Sequence, residues 1–339
     1  VVSFYFISLQ ERTMGMTLTR RKLFIFLAVI FYCQLVSAQQ SVNVGQYYFN
    51  PYQINPAYAG LDRSLSITAA YRNQWNGLNR NPRYIYLGTH IPLYVLKGAA
   101  GLEASSESRG DLNFTYFSGS YNYVFVNQVG LFSAGMRIGI KNVSINGSNL
   151  ITPEGIYTGG STVHNDPVLS ATQENGISPY FELGLMYVKN NIKIGLDMSQ
   201  FESSVTTVGE TAYQNKTHFN IFFQYKYDLT QSLSLLPSTL IKYDLRNIQT
   251  DLNLILAING NIFGGIGMRG FDKHSFDAVN AMIGMKLNKN YLISYQYETG
   301  ISELKRVNEG THELVLNYNL NKAIASGIPP KAIYNPRDL

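Results

Sequence analysis

The sequence predicts an all-β fold, a transmembrane antiparallel β-barrel of about fourteen strands. Three observations predict it: a composition low in charge and rich in aromatics, period-two alternation over bilayer-length segments, and connections that alternate between short and long. Charged residues make up 14% of the 339, against a typical ~25%. Aromatics make up 13%, with 25 Tyr and 29 Gly. This mixture suits many strands that each carry one apolar and one polar face.

Residues 1–38 read as upstream sequence followed by a cleaved export signal. Arg20, Arg21 and Lys22 precede an almost unbroken apolar run from 23 to 36, and Val36-Ser37-Ala38 puts a small residue before Gln39. The run is short for a span, which leaves a retained anchor as the other reading. Four of the 27 basic residues and one of the 22 acidic residues fall here, so the remainder has a net charge near +2 despite a calculated pI of 9.0. That balance gives no case for nucleic-acid binding. The single cysteine, Cys33, lies in the same stretch and follows Tyr32, where a lipoprotein signal would want a small residue. Beyond Ala38 there is no thiol and no run of ~18 apolar residues.

The strands are predicted at 64–72, 83–91, 97–106, 111–126, 129–143, 178–188, 191–199, 217–228, 231–243, 248–258, 261–271, 276–287, 290–299 and 311–320. Their pattern is plain in several places. Phe219, Ile221, Phe223, Tyr225 and Tyr227 alternate with Asn220, Phe222, Gln224 and Lys226. Phe132, Ala134, Met136, Ile138 and Ile140 alternate with Ser133, Gly135, Arg137, Gly139 and Lys141. Successive strand side chains point to opposite faces, so one face suits lipid and the other a hydrated interior. Tight turns such as Lys189-Asn190 and Asn259-Gly260 alternate with more polar loops at 73–82, 144–177, 200–216 and 300–310, although 107–110 and 272–275 are short. Short turns on one side mark the periplasmic face of an outer-membrane barrel, and an even strand number then places both termini there. Tyr84, Tyr86, Tyr121, Tyr123, Tyr187, Tyr225, Tyr227, Tyr295 and Tyr297 lie near strand ends and read as interfacial girdles. The domain plan is therefore a leader at 1–38, an irregular periplasmic segment at 39–63, the barrel at 64–320 and a periplasmic tail at 321–339.

The irregular segment carries two Asn-Pro pairs, in Gln46-Tyr47-Tyr48-Phe49-Asn50-Pro51 and in Asn55-Pro56-Ala57-Tyr58-Ala59-Gly60. Asn-Pro favours turns and cannot extend a strand ladder. The segment is either a docking element or plug, or a stiff lead-in at the mouth. Tyr71-Arg72-Asn73-Gln74-Trp75 follows at the end of the first strand, and Tyr334-Asn335-Pro336-Arg337 closes the chain. These blocks resemble the PorP/SprF family of outer-membrane proteins of Bacteroidetes. The resemblance runs through the whole length after the leader. It implies a barrel in the bacterial outer membrane that anchors, presents or assists export of secreted adhesins or other cargo with a C-terminal sorting domain. It also implies contact with type IX secretion and gliding-motility components.

No catalytic or cofactor motif stands out, and the chain reads as non-enzymatic. His90, His164, His218, His274 and His312 are scattered. Gly265-Ile266-Gly267-Met268-Arg269-Gly270 matches a dinucleotide-binding pattern by letter, but no helix follows and close packing within a strand explains the glycines. The candidate site residues are thus the motif residues with Arg72 and Trp75, and the inner-face polar residues Arg137, Lys141, Glu182, Lys193, Asp197, Lys226, Lys286 and Glu298. The latter read as a solvated, salt-bridged interior or as a channel lining. Besides the secretion role, a diffusion porin or small-solute transporter and a membrane-embedded hydrolase remain as readings.

Overall fold

The computed structural model describes residues 44–324 apart from 159–162, 167–168, 201–204, 210, 215–216, 246, 273–274 and 302. The leader and the tail beyond 324 lie outside the described residues. The chain folds into a closed antiparallel barrel of fourteen strands. They are β1 (Ser66–Asn73), β2 (Arg83–Leu93), β3 (Gly98–Arg109), β4 (Leu112–Val126), β5 (Leu131–Asn146), β6 (Gln173–Lys189) and β7 (Ile192–Ser199). The other seven are β8 (His218–Tyr225), β9 (Leu233–Tyr243), β10 (Ile248–Ile258), β11 (Ile262–Asp272), β12 (Ser275–Lys286), β13 (Tyr291–Gly300) and β14 (Thr311–Asn319). Each strand pairs with the next, and β1 pairs with β14, with Ser66 opposite Asn319 and Asn73 opposite His312. Closure leaves no edge, which is what lets strands stand in hydrocarbon without unsatisfied backbone groups.

Period two sorts the side chains. On β5, Ser133, Gly135, Arg137 and Lys141 face inward, while Phe132, Met136, Ile138 and Ile140 face out. The outer wall is apolar in every quadrant: Ile85 is 56% exposed, Phe117 57% and Ile283 68%. A patch of that extent in water is an aggregation surface, whereas in lipid it is solvated. Among the described residues no helix is long and apolar enough to cross a membrane. Tyr121, Tyr123, Tyr227, Tyr295 and Tyr297 face outward. Tyr84 and Tyr86 correct the girdle reading. Both have inward parity on β2 and are buried in the lumen, because the apolar outer row of that strand is Ile85 and Leu87.

The long loops hold more structure than their polarity suggests. β6 begins at Gln173, several residues before the predicted start, and β5 runs on to Asn146, so this hairpin rises well above its neighbours. The loop after β7 contains its own hairpin, Val205–Val208 with Thr211–Gln214. Thr206 and Val208 are buried. The Thr206 hydroxyl donates to Ser178 Oγ at 2.6 Å, which folds the hairpin over the inner faces of β4 to β6.

Candidate functional site

The lumen is filled by the chain's own N-terminal segment. From Val44 to Gly60 every residue except Phe49 and Gln53 is buried. The Asn-Pro pairs explain its local shape. Each proline opens a one-turn 3-10 helix, Pro51–Gln53 and Pro56–Tyr58, where its missing N–H costs nothing. Asn55 caps the second, its Oδ1 accepting from Ala57 N–H at 2.9 Å. Two tight turns in succession keep the segment compact enough to fit inside the barrel.

One side of the segment meets β3 to β7 through bare backbone and hydrogen bonds. Asn55 Nδ2 donates to the carbonyls of Leu185 and Leu196, at 3.1 and 2.9 Å. Asn122 Nδ2 donates to the carbonyls of Ala57 and Ala59, at 2.9 and 2.8 Å. Inward-facing glycines make room for this approach. A Cβ on Gly135 would lie 2.6 Å from Ala57 N, and one on Gly184 would lie 2.1 Å from Asn55 Oδ1. Arg137 closes the contact. It donates to the Tyr52 carbonyl at 2.6 Å, lies over the Tyr52 ring at 4.9 Å, and pairs with Glu182 at 2.5 Å and Glu103 at 3.3 Å.

The other side meets β8 to β14 through apolar packing together with hydrogen bonds. Tyr47 and Tyr48 belong to one core with the inward-facing Phe222, Leu240, Ile255, Met282 and Val315. Tyr47 stands edge-on to Phe222 with ring centroids 6.0 Å apart. Its hydroxyl donates to the Asp251 carbonyl and accepts from Asn253, both at 3.1 Å. The backbone N–H groups of Gly45 and Gln46 each donate to Glu313 at 2.9 Å. That carboxylate belongs to an ion-pair chain: Arg72 pairs with Glu313 and Glu298 at 2.7 and 2.9 Å, and Arg269 pairs with Glu298 and Asp251 at 2.9 and 3.0 Å.

The segment leaves the lumen at the short-turn end. Gly60 has a left-handed φ of 69°, which puts its N–H 3.1 Å from His90 Nδ1. Tyr58 donates to Asp62 at 2.8 Å and accepts from Lys193 at 3.2 Å. Burial, with Asp62 alongside, pushes the Tyr58 hydroxyl well above the usual tyrosine range, so it stays a neutral donor.

The structure thus gathers Asn50, Pro51, Asn55, Pro56, Ala57, Tyr58, Ala59 and Gly60 inside the barrel, with Arg72, Arg137, Glu182, Asp197 and Glu298 on the wall around them. Lys141 is buried nearer the long loops, over the rings of Phe114, Tyr116 and Tyr213. Trp75 lies apart: β1 has ended, its φ is 54°, and its backbone N–H donates to the Thr311 hydroxyl among the long loops. Lys226 and Lys286 stand at the rim rather than beside the segment. Their parity is inward, but each sits at the short-turn end of its strand beyond the covered lumen. Lys226 pairs with Asp228 in the open, and exposed Lys286 lies over Phe263. Sequence reasoning missed Glu103, Asp251, Arg269 and Glu313, although charge at inward parity marks them. It also missed Gly135 and Gly184, whose signal is glycine where an inner-facing side chain belongs. Among the described residues no group of three or more His, Cys, Asp or Glu is placed to hold a metal.

The sequence model of one family, described as type IX secretion system membrane protein PorP/SprF, matches residues 36–318. No curated protein matches the chain. Among solved structures, the Ralstonia pickettii toluene transporter TbuX is similar over 79% of this chain and 92% of its own, at 11% identity and a TM-score of 0.49. The monoaromatic hydrocarbon channel CymD is similar over 83% and 94%, at 10% identity and a TM-score of 0.47. The Acinetobacter baumannii outer-membrane protein Omp33 is similar over 76% and 96%, at 6% identity and a TM-score of 0.43.

Proposed function

The chain belongs to the PorP/SprF family of type IX secretion membrane proteins, barrels of the bacterial outer membrane, and from that premise we propose that it is a plugged platform rather than a pore. In this reading it anchors or presents secreted surface proteins, or assists their export. The clients are adhesins or other cargo with a C-terminal sorting domain, and the barrel works alongside type IX secretion and gliding components. The observation that carries the reading is the lumen filled by residues 44–60. A solute crossing the barrel would have to strip that segment from Asn122, Arg137, Glu313 and an apolar wall, each contact being costly to leave unpaired or rehydrated. A diffusion porin needs a hydrated path, and the segment occupies the place where it would run.

We orient the short turns and the start of the tail toward the periplasm and the long loops toward the outside. Cargo then meets the loops, including the 205–214 hairpin, and the secretion apparatus meets the mouth where residues 60–65 emerge beside the start of the tail. Backbone bonds there join Leu320 N–H to the Leu65 carbonyl and Ile324 N–H to the Arg63 carbonyl. Affinity purification from native outer membranes tests the role. The expected result is a surface protein with a sorting domain retained on the barrel and lost when the 205–214 hairpin is shortened. A barrel that purifies alone and passes small solutes at a steady rate would reject it in favour of the porin.

A further inference from the structure

The two ends of the barrel carry charge differently. At the long-loop end both signs mix, with Asp111, Glu154, Glu174, Asp277 and Glu309 set among the bases. At the short-turn end the charge is nearly all of one sign. Arg63 stands before β1, Lys97 in the β2–β3 turn and Lys322 after β14. Lys189 and Lys193 flank the β6–β7 turn, Lys226 follows β8, and Lys286 and Lys289 mark the β12–β13 turn. Among the described residues Asp62 and Asp228 are the only acids there. Both are engaged: Asp62 accepts from Tyr58 at 2.8 Å, and Asp228 pairs with Lys226 at 2.9 Å. Arg63, Lys97, Lys189, Lys286, Lys289 and Lys322 are exposed and make no ion pair with a described residue.

The placement favours a partner on the barrel axis over headgroups around the wall. Lys226 and Lys286 have inward parity, and Arg63 and Lys97 line one small hollow with Ala59 and Gly60, where the plug emerges. These four stand within the ring of strands, whereas lipid surrounds it. The connections here are short, with Asn190 and Asn191 alone joining β6 to β7, so a broad surface can reach the mouth. Like charges gathered without acids repel one another and add nothing to the barrel's own stability. Residues 325–339 carry Lys331 and Arg337 against Asp338, which is too few acids to neutralise them. A cationic face raises the encounter rate with an oppositely charged surface and rejects like-charged ones.

We propose that the short-turn mouth is a docking face for an acidic periplasmic protein, which seats across the barrel axis and covers the plug's exit at residues 60–63. The contact is electrostatic, with carboxylates of the partner meeting Lys97, Lys226, Lys286 and Lys322. The assignment rests on the orientation given above and states what chemistry the apparatus-facing side recognises. It is independent of the cargo role of the long loops.

Photo-cross-linking in whole cells tests it, with p-benzoylphenylalanine in place of the exposed Gln128 in the β4–β5 turn of the full chain. The expected result is one discrete protein adduct that survives digestion of the cell wall and whose cross-linked peptide is rich in Asp and Glu. Lys97→Glu, Lys226→Glu, Lys286→Glu and Lys322→Glu together should lower that adduct at least ~10-fold while heat-modifiable mobility shows an intact barrel. The same four positions changed to Arg should keep it. Lysines placed at the partner's acids should restore it with the charge-reversed barrel. An adduct unmoved by charge reversal, adducts on lipid or peptidoglycan alone, or no adduct would overturn the docking face. That failure would leave the cargo test at the 205–214 hairpin untouched, just as loss of cargo there would leave this adduct in place.

Discussion

The plug meets two unlike walls. Toward β8–β14 it buries Tyr47 and Tyr48 against Phe222, Leu240 and Ile255, with Glu313, Asp251 and Asn253 bonding residues 45–47. Toward β3–β7 it lays Asn55-Pro56-Ala57 on glycine backbone and is held by Asn122, Asn55 and Arg137. The difference teaches that one short motif serves two purposes. Burial against the first wall supplies non-directional attraction, while hydrogen bonds on both walls and bare backbone on the second set position, since they tolerate little displacement.

Changes at the heart of each wall sharpen that contrast most. Phe222→Ala should cost about 3–5 kcal/mol, through lost burial and the cavity left behind. Arg137→Ala should cost a similar ~3–5 kcal/mol for a different reason, since Glu103 and Glu182 are left buried without their cation. Urea unfolding of the barrel reconstituted in lipid vesicles reads both. The two also separate by rescue: Phe222→Leu should recover most of the loss, whereas Arg137→Met should lose the plug's pose while keeping volume. Gly135→Ala comes next, at ~1–3 kcal/mol, because its new Cβ meets the backbone of Pro56 and Ala57 rather than a flexible side chain. The same substitution at Gly264, where nothing lies within 4 Å, should be neutral in the same assay. Asn55→Ala should cost ~1–3 kcal/mol by leaving Ala57 N–H without its cap and two strand carbonyls without a donor. Tyr47→Phe is smallest, at about 0.5–1.5 kcal/mol, since the ring and its packing stay. A Tyr47→Phe effect larger than that of Phe222→Ala would show that hydrogen bonds rather than burial hold the plug on the β8–β14 wall.

Most of the barrel was legible because period two is a direct consequence of strand geometry. The span 248–258 coincides with β10, and most other boundaries differ by a few residues. The errors have physical sources. Tyr84 and Tyr86 carry the composition of a girdle, and only the parity set by Ile85 and Leu87 sends them inward. Lys226 and Lys286 keep inward parity, but parity says nothing about height, and both stand past the mouth. The hairpin at 205–214 lies in polar sequence whose pairing depends on the rising β5–β6 wall beneath it. Asn-Pro pairs at 50–51 and 55–56 announced a compact non-strand segment. Whether it sat in the lumen depended on Gly135 and Gly184, residues that contact it only once the barrel has closed.

Ion conductance across a planar bilayer tests the central claim most directly. The protein ending its leader at Ala38 should show no steady current, and the Gly135→Leu, Gly184→Leu double variant, whose side chains occupy the plug's seat, should show a persistent open-pore current. A steady ohmic conductance in the unaltered protein, equal to that of the double variant, would contradict the account.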